Sequence, residues 1–218
     1  MIKYFEYGER EIEHLRKKDK KLGAAIDRMG ILKREINPCP FSALVESIVG
    51  QQISNKAAVT VCRKLSDLSE MNPHKLCALS LEEIQACGMS MRKAGYIKNI
   101  AEAAIVSPSA KSASSPNFLS VSAVSKSIDF DDFPNKSDEE IIKTLTAIKG
   151  VGVWTAEMLL IFSLMRPNVV SYGDFAIRRG MMILYGLKEL PKDKFLRYAK
   201  RYAPYGSVAS LYLWEMSH

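Results

Sequence analysis

The sequence predicts an all-α protein, and two observations support that fold class. Apolar residues recur at the three- and four-residue spacing of amphipathic helices along most of the 218 residues. No convincing run of residues alternates between apolar and polar, as a half-buried strand would require. Pro40 and Gly88 are placed where one helix is expected to begin and another to end.

The predicted helices follow one another from the N-terminus. A charged amphipathic helix covers residues 11–29, and the next opens at Pro40 with Phe41 and Leu44 at helical spacing. The helix that opens at Asp138 has an acidic first turn, which complements the helix dipole. Further helices are predicted over residues 55–68, 80–87, 91–104, 153–163, 175–185, 192–203 and 207–216.

A glycine hairpin joins two of these helices at residues 145–156, which read LTAIKGVGVWTA. Gly150 and Gly152 allow backbone angles that residues with side chains resist. The amides of residues 150–153 then lie at a helix N-terminus, where unpaired N–H groups favour an anion. A DNA phosphate can approach such a hairpin closely, which fixes position and carries no sequence information. The alternative is a tight turn between helices whose glycines serve packing alone.

A single carboxylate, Asp174, follows in the segment SYGDFAIRRG. A phosphate-binding hairpin near one acid predicts chemistry on DNA without phosphate cleavage by a metal cluster. The alternative role of Asp174 is that of N-cap to the helix over residues 175–185, because aspartate is among the preferred capping residues. One aspartate can serve both roles.

The overall charge favours a polyanionic partner. The chain carries 31 Lys and Arg against 24 Asp and Glu, with a formal net charge of +7 and a pI of about 9.2. No apolar run is long enough to span a membrane, and the N-terminal residues lack the apolar core of a signal peptide. We therefore expect a cytoplasmic protein that associates with the nucleoid by binding DNA.

Cysteine and histidine residues argue against several kinds of site. The four cysteines form no close pair, whereas structural zinc and iron–sulfur sites usually need one. Free, mostly buried thiols are expected instead. His14, His74 and His218 are scattered and belong to no motif. Asp174 is therefore the leading candidate for a catalytic group.

Residues 107–127 differ from the rest of the chain because they are rich in serine and contain two prolines. Low hydrophobicity and prolines are typical of a surface loop. We interpret this segment as an insertion between two helices, remote from the chemistry.

Five segments in order resemble the helix-hairpin-helix DNA glycosylases, most closely the 3-methyladenine DNA glycosylase II group. Two of them are the hairpin and the segment around Asp174. Residues 39–54 end in GQQIS, residues 87–94 form a turn before a basic helix, and residues 203–214 enter the closing helix. Five motifs in the right order are far more specific than one.

The resemblance implies a single catalytic unit of two helical lobes with the active-site cleft between them. Residues 38–135 are expected to form a central lobe that includes the serine-rich insertion. Residues 1–37 and 136–218 are expected to form the second lobe, which carries the hairpin and Asp174.

The resemblance also implies the chemistry. A glycosylase flips its target nucleotide out of the duplex and cuts the bond between base and sugar. Asp174 would stabilise the oxocarbenium character of the sugar or position water. At about 4 Å and an effective dielectric constant near 20, this attraction is about 4 kcal/mol, or about a thousandfold in rate.

Position 154 predicts the subtype. Bifunctional members of the family carry a lysine nucleophile at this point of the hairpin helix, whereas this chain has Trp154. We therefore expect a monofunctional enzyme without lyase activity. Lys149 lies on the hairpin itself, where a phosphate contact is expected. The alternative role of Trp154 is core packing.

The substrate prediction rests on the leaving group, because neither a histidine nor a second carboxylate stands out as a general acid. N-alkylated purines such as 3-methyladenine and 7-methylguanine are already cationic and leave without protonation. An aromatic pocket would bind them by stacking and cation–π attraction. The resemblance implies Trp154 and Trp214 as pocket aromatics, with Tyr172 added and Met158 where relatives can carry another aromatic.

Gln52 is the candidate wedge that fills the gap left by the flipped nucleotide, although some relatives use an apolar residue there. The alternative is a helix cap or a core hydrogen bond. Two departures from the family pattern lie near Asp174. Ser171 replaces a proline found in many relatives, and Gly206 replaces a frequent arginine.

We therefore expect a monomeric glycosylase that acts on double-stranded DNA containing alkylated bases, with no membrane association and no required cofactor. The resemblance implies a structural Na+ or K+ ion on the backbone carbonyls of Thr146, Ile148 and Val151. One alternative is the same scaffold acting on deaminated or oxidised bases. Another is a non-catalytic module that grips DNA by the hairpin, for which neither Asp174 nor two pocket tryptophans would be needed.

Overall fold

A computed structural model describes residues 2–105 and 128–218, so the serine-rich segment 107–127 lies outside the described residues. The all-α prediction is confirmed, because helices dominate both described ranges. The helices are α1 (Glu9–Lys18), α2 (Lys20–Met29), α3 (Pro40–Gly50), α4 (Asn55–Ser69), α5 (Pro73–Ala78), α6 (Leu81–Ala86), α7 (Met91–Ile105), α8 (Asp138–Thr146), α9 (Val153–Phe162), α10 (Phe175–Tyr185), α11 (Lys192–Tyr202) and α12 (Gly206–Met216).

Two short strands, helix α5 and a 3₁₀ helix over Phe133–Asn135 lie outside the predicted elements. Strand β1 (Lys3–Tyr4) pairs antiparallel with β2 (Glu35–Ile36), and two residues a strand are too few to show an alternating pattern. Helix α5 has its own sequence signal, an Asn72 cap followed by Pro73 at the first helical position.

The helix predicted over residues 11–29 is two helices that meet at Asp19. This residue has extended backbone angles, and its Oδ1 accepts the N–H groups of Lys21 and Leu22 at 3.1 and 3.0 Å. Its Oδ2 accepts the Tyr185 hydroxyl, and only 5% of Asp19 is exposed. In the sequence Asp19 looks like one more charge on a solvent-facing surface, so the break depends on a partner distant in the chain.

The chain divides into two compact units. We call residues 39–156 the central unit and residues 1–38 with 157–218 the terminal unit. The first boundary lies one residue from the expected start of the central lobe at residue 38, and residues 136–156, which the resemblance places in the second lobe, group with the central unit. One reason is visible at the hairpin, where the Gly150 backbone lies against the ring of Tyr96 on α7.

Each unit has a buried apolar core. In the central unit α7 packs against α3, α5 and α6, and Leu44, Ile48 and Ile97 are fully buried. In the terminal unit α10 packs so closely on α12 that a Cβ on Gly180 would lie 1.9 Å from the Leu213 carbonyl oxygen. Among the helices of the described ranges, none has both the length and the apolar character needed to cross a membrane.

Candidate functional site

The hairpin between α8 and α9 is a turn closed by its own backbone. The Ile148 N–H donates to the Leu145 carbonyl at 3.0 Å, and the Val151 N–H donates to the Ile148 carbonyl at 3.1 Å. Gly150 has a φ of +104°, as predicted for a position that resists side chains. Gly152 also allows such angles, but it is not among the glycines with positive φ.

Glycine is therefore found at positions 150 and 152 for different physical reasons. A Cβ on Gly150 would lie 2.2 Å from Cγ of Tyr96, so this glycine is required by its backbone angle and by packing. A Cβ on Gly152 would meet nothing within 4 Å, and the residue is exposed. Gly152 leaves open space at the start of α9, where a ligand can approach the backbone.

The hairpin offers several amides to an anion. Across residues 2–105 and 128–218, no acceptor is found for the N–H groups of Gly150, Gly152 and Val153. Lys149 is exposed beside them. Val151 differs from the prediction, because its N–H is bonded within the turn and its side chain is buried. Its amide is therefore not one of the groups that a phosphate would meet.

Gln52 lies in the connection between α3 and α4 with a φ of 57°, a left-handed conformation that is uncommon for residues other than glycine. Its side chain is exposed, which does not fit a core hydrogen bond. The adjacent Ile53 is an apolar side chain with 38% exposure. The connection thus presents a polar and an apolar residue side by side.

Lys93 on α7 holds this connection. Its Nζ donates to the Val49 carbonyl at 2.8 Å and to the Gln51 carbonyl at 2.5 Å. These carbonyls lie at the C-terminal end of α3, where cations are favoured. Burial, with a smaller effect of the nearby Arg92, lowers the pKa of Lys93. No sequence pattern predicts this contact, because Lys93 is more than 40 residues from its partners along the chain.

Asp174 is buried, with 6% exposure, and caps α10. Its Oδ1 accepts the Ile177 N–H at 2.9 Å, and its backbone carbonyl accepts the Arg178 N–H at 3.2 Å. Its own N–H donates to the Ser171 carbonyl at 3.4 Å, which closes the turn before the helix. The predicted capping role is therefore confirmed, and the carboxylate is held at a defined position.

Sequence reasoning missed a second carboxylate near Asp174. Glu157 on α9 accepts a hydrogen bond from the Ser171 hydroxyl at 2.5 Å. Burial raises the pKa of Glu157, the Ser171 hydrogen bond opposes that shift, and the negative charge of Asp174 adds to it. One signal was available, because Glu157 is the only charged residue of the otherwise apolar α9.

Two serines of α12 also hold the loop before Asp174. Ser207 Oγ accepts the Val169 N–H at 2.9 Å, and Ser210 Oγ donates to the Val169 carbonyl at 2.9 Å. At Gly206 a Cβ would lie 2.7 Å from Cγ2 of Val170. Glycine at this position, where the family pattern often has arginine, therefore lets the loop pack against the start of α12.

The predicted aromatic residues differ in their surroundings. Trp154 is 40% exposed on the first turn of α9, which does not fit a fully buried core role. Met158 follows it by one helical turn and is buried. Trp214 is half-buried with its ring centroid 5.3 Å from that of Phe162.

Tyr172 is already engaged by its own unit. Its ring packs edge-on against Phe195, with centroids 5.1 Å apart. Arg178 and Lys192 lie 5.3 and 5.7 Å from the ring centroid. The cation–π partners of Tyr172 are therefore side chains of the protein.

The predicted site residues fall into two groups. Asp174, Tyr172, Met158 and Trp214 belong to the terminal unit, and the remaining predicted residues belong to the central unit. The second group consists of Gln52, Thr146, Ile148, Lys149, Gly150, Val151, Gly152 and Trp154.

Comparisons with known proteins agree with the helical fold and the hairpin described above. Residues 45–204 match the HhH-GPD superfamily base excision DNA repair proteins. DNA-3-methyladenine glycosylase 1 of Schizosaccharomyces pombe is 33% identical over 185 residues, which cover 82% of this chain and 72% of the relative.

Two solved structures are similar in fold. A DNA-3-methyladenine glycosidase from Bacillus halodurans matches with a TM-score of 0.78 and 35% identity, covering 99% of this chain and 92% of the other. The 3-methyladenine DNA glycosylase of S. pombe in complex with abasic DNA matches with a TM-score of 0.74 and 29% identity, covering 94% and 95%. The chain therefore belongs to the HhH-GPD superfamily of base excision DNA repair proteins.

Proposed function

We propose that the protein is a DNA glycosylase that hydrolyses the N-glycosidic bond of N-alkylated purines, such as 3-methyladenine and 7-methylguanine, in double-stranded DNA. The observation that carries this proposal is Asp174, a buried carboxylate fixed by its role as the cap of α10. The names of the relatives, which refer to 3-methyladenine and to abasic DNA, support the substrate class.

In the proposed reaction Asp174 acts through its charge. As the bond to the base breaks, the sugar becomes oxocarbenium-like, and the carboxylate stabilises that positive charge or positions the attacking water. The cap hydrogen bond from the Ile177 N–H to Oδ1 fixes the position of the carboxylate. Trp154 stands where bifunctional relatives have their lysine, so the reaction ends at an abasic site without strand cleavage.

Alkylated purines suit the aromatic residues of this chain. A cationic base leaves without protonation and attracts aromatic faces by about 0.5–2 kcal/mol for each contact. We assign this role to the exposed face of Trp154 and to Trp214, and we keep Met158 as a further base-pocket residue. Tyr172 contributes less to base binding, because Phe195 and two basic side chains already surround its ring.

The hairpin would bind a phosphate of the DNA backbone. The unbonded amides of Gly150 and Gly152 and the charge of Lys149 provide the contacts. Gln52 and the exposed Ile53 would fill the gap left by the flipped nucleotide, with Ile53 supplying the apolar surface that unstacks bases more readily.

The proposal includes no required cofactor and a monomeric enzyme that associates with nucleoid DNA in the cytoplasm. The hairpin carbonyls of Thr146, Ile148 and Val151 would hold Na+ or K+. The Ile148 oxygen already accepts the Val151 N–H, and it keeps a second lone pair for an ion. A cation bound there would add positive charge for a phosphate.

The test is to incubate the protein with methylated duplex DNA, treat the DNA with alkali to cut abasic sites, and identify released bases by mass spectrometry. We expect alkali-dependent breaks and free 3-methyladenine or 7-methylguanine. No release above background would contradict the proposal. Release of only deaminated or oxidised bases would assign the scaffold to a different substrate. Breaks without alkali, trapped by borohydride, would contradict the monofunctional assignment.

A further inference from the structure

We propose that Glu157 is a positioning residue for Asp174, acting through its hydrogen bond with Ser171. This inference rests on the proposed function, because it assigns to Asp174 the catalytic charge. It extends that function by naming the contact that fixes the turn in which Asp174 lies.

The geometry is a short chain of hydrogen bonds within the terminal unit. Glu157 Oε2 accepts the Ser171 hydroxyl at 2.5 Å, and the Ser171 carbonyl accepts the Asp174 N–H at 3.4 Å. Asp174 Oδ1 in turn accepts the Ile177 N–H of α10 at 2.9 Å. The turn of residues 171–174 is therefore fixed to α9 at one end and to α10 at the other.

The burial of these groups gives the contact its strength. Ser171 is fully buried and Asp174 nearly so. Loss of either partner would leave a buried polar group without its hydrogen bond, which costs more than the bond itself contributes. Glu157 is supplied by a helix, which is a more rigid support than another loop.

A serine at position 171 makes this support necessary. The family resemblance places a proline there in many relatives, and proline restricts the backbone by itself. Serine has no such restriction, so the turn needs an external contact. Within the described ranges no acceptor is found for the Ser171 N–H, so a proline there would remove no hydrogen bond.

The test compares Glu157→Ala, Glu157→Gln and Ser171→Ala with the unchanged protein. Glu157→Ala and Ser171→Ala should each slow single-turnover base release by about 10- to 100-fold, the scale expected when a catalytic group moves by about 1 Å. The Kd for methylated duplex DNA should stay within about twofold. The double variant should be no slower than either single variant, because both changes remove the same contact.

Three variants separate positioning from charge and from general damage. Glu157→Gln keeps an acceptor for Ser171, so its rate should stay within about threefold of the unchanged protein. Ser171→Pro in the Glu157→Ala background should recover most of the lost rate. Glu13→Ala removes a carboxylate from an exposed ion pair of the same unit and should leave the rate unchanged.

Several results would overturn the inference. If Glu157→Gln were as slow as Glu157→Ala, the rate would depend on the charge of Glu157 and not on its role as hydrogen-bond acceptor for Ser171. Additive effects in the double variant would show two independent roles. A normal rate of base release in both Glu157→Ala and Ser171→Ala would show that the contact has no positioning role.

A measurement that needs no activity keeps the two proposals separate. Hydrogen exchange of the Asp174 and Ile177 amides should accelerate in Glu157→Ala and Ser171→Ala and should stay unchanged in Glu157→Gln. Unchanged exchange in all three variants would contradict the positioning role. If the variants show this exchange pattern but the unchanged protein releases no base, the glycosylase function is contradicted and the positioning role of Glu157 is not.

Discussion

Lys93 on α7 donates a hydrogen bond from Nζ to the Gln51 carbonyl oxygen at 2.5 Å, immediately before the left-handed Gln52. The same ammonium group bonds the Val49 carbonyl. A left-handed residue other than glycine persists only where its surroundings hold it. This contact therefore supports the conformation of the connection that we assign to base unstacking.

The first prediction concerns Lys93→Met. Loss of the two hydrogen bonds should relax the connection, weaken DNA binding and reduce the population of flipped base by about tenfold. The measurement is the Kd and the fluorescence of a duplex that carries 2-aminopurine beside the lesion.

Lys98→Met is the matched control for this change. Lys98 lies on the same helix and donates to the carbonyls of Cys77 and Leu79, which are distant in sequence from Gln52. Both variants should lose about 1–3 kcal/mol in urea unfolding, the scale for hydrogen bonds to charged groups. Only Lys93→Met should impair flipping, and equal impairment in both would contradict a specific role for Lys93.

The two glycines of the hairpin should separate stability from binding. Gly150→Ala forces a Cβ to within 2.2 Å of the Tyr96 ring at a φ of +104°, so it should lower the free energy of unfolding by about 2 kcal/mol or more. Gly152→Ala meets open space and should leave stability within about 0.5 kcal/mol.

The same pair tests the phosphate assignment. A methyl group at Gly152 would stand between the hairpin backbone and a phosphate, so Gly152→Ala should raise the Kd for DNA by about tenfold. The measurement is fluorescence anisotropy on undamaged and methylated duplexes, with equal weakening expected on both. Unchanged affinity would place the phosphate elsewhere.

Asp174 should show its two roles in two different variants. Asn is as good an N-cap as Asp, so Asp174→Asn should keep stability within about 0.5 kcal/mol while base release falls by about a thousandfold. Asp174→Ala should also lose the cap, which costs about 1 kcal/mol. Thermal unfolding and single-turnover kinetics measure the two effects, and full activity of Asp174→Asn would reduce the residue to a cap.

Trp154 is exposed enough to test base stacking without damage to the core. Trp154→Ala should lower kcat/KM on methylated DNA by about 2- to 30-fold, which corresponds to about 0.5–2 kcal/mol of cation–π attraction. Trp154→Phe should retain most of the activity. A large loss of stability with unchanged kcat/KM would assign Trp154 to packing instead.

The thiols should differ in reactivity. Burial and the nearby Glu46 raise the pKa of Cys62 to about 11 from 9.0, whereas Cys39 is exposed. With Cys39 changed to serine, Cys62 should react slowly with a disulfide reagent at pH 8 until the protein unfolds. The thiol of Cys62 loses its proton near pH 9 in the unfolded state and near pH 11 in the folded state. The free energy of unfolding that depends on this thiol is therefore fully present below pH 9 and is lost as pH rises to about 11.

Much of the fold was predictable because its signals are local. The bounds of α10 were predicted to the residue, since Asp174 is a capping residue directly before the helical pattern. The hairpin was predictable for the same reason, because Gly150 follows a complete amphipathic helix. The two-residue strands were not predictable, since their pairing joins residues 3–4 to 35–36 without any pattern of their own.

The sequence by itself determined that this chain is helical, that it carries a glycine hairpin and a capping aspartate, and that it resembles the helix-hairpin-helix glycosylases. These properties depend on periodicity, capping and motif order, and such signals are formed by residues that are close together in the sequence. Only the tertiary structure decided that Glu157 bonds Ser171, that Lys93 holds Gln51, and that Tyr96 requires a glycine at position 150. Each of these contacts joins residues that are separated in the sequence. The side chains become buried and come within contact distance only when the helices pack.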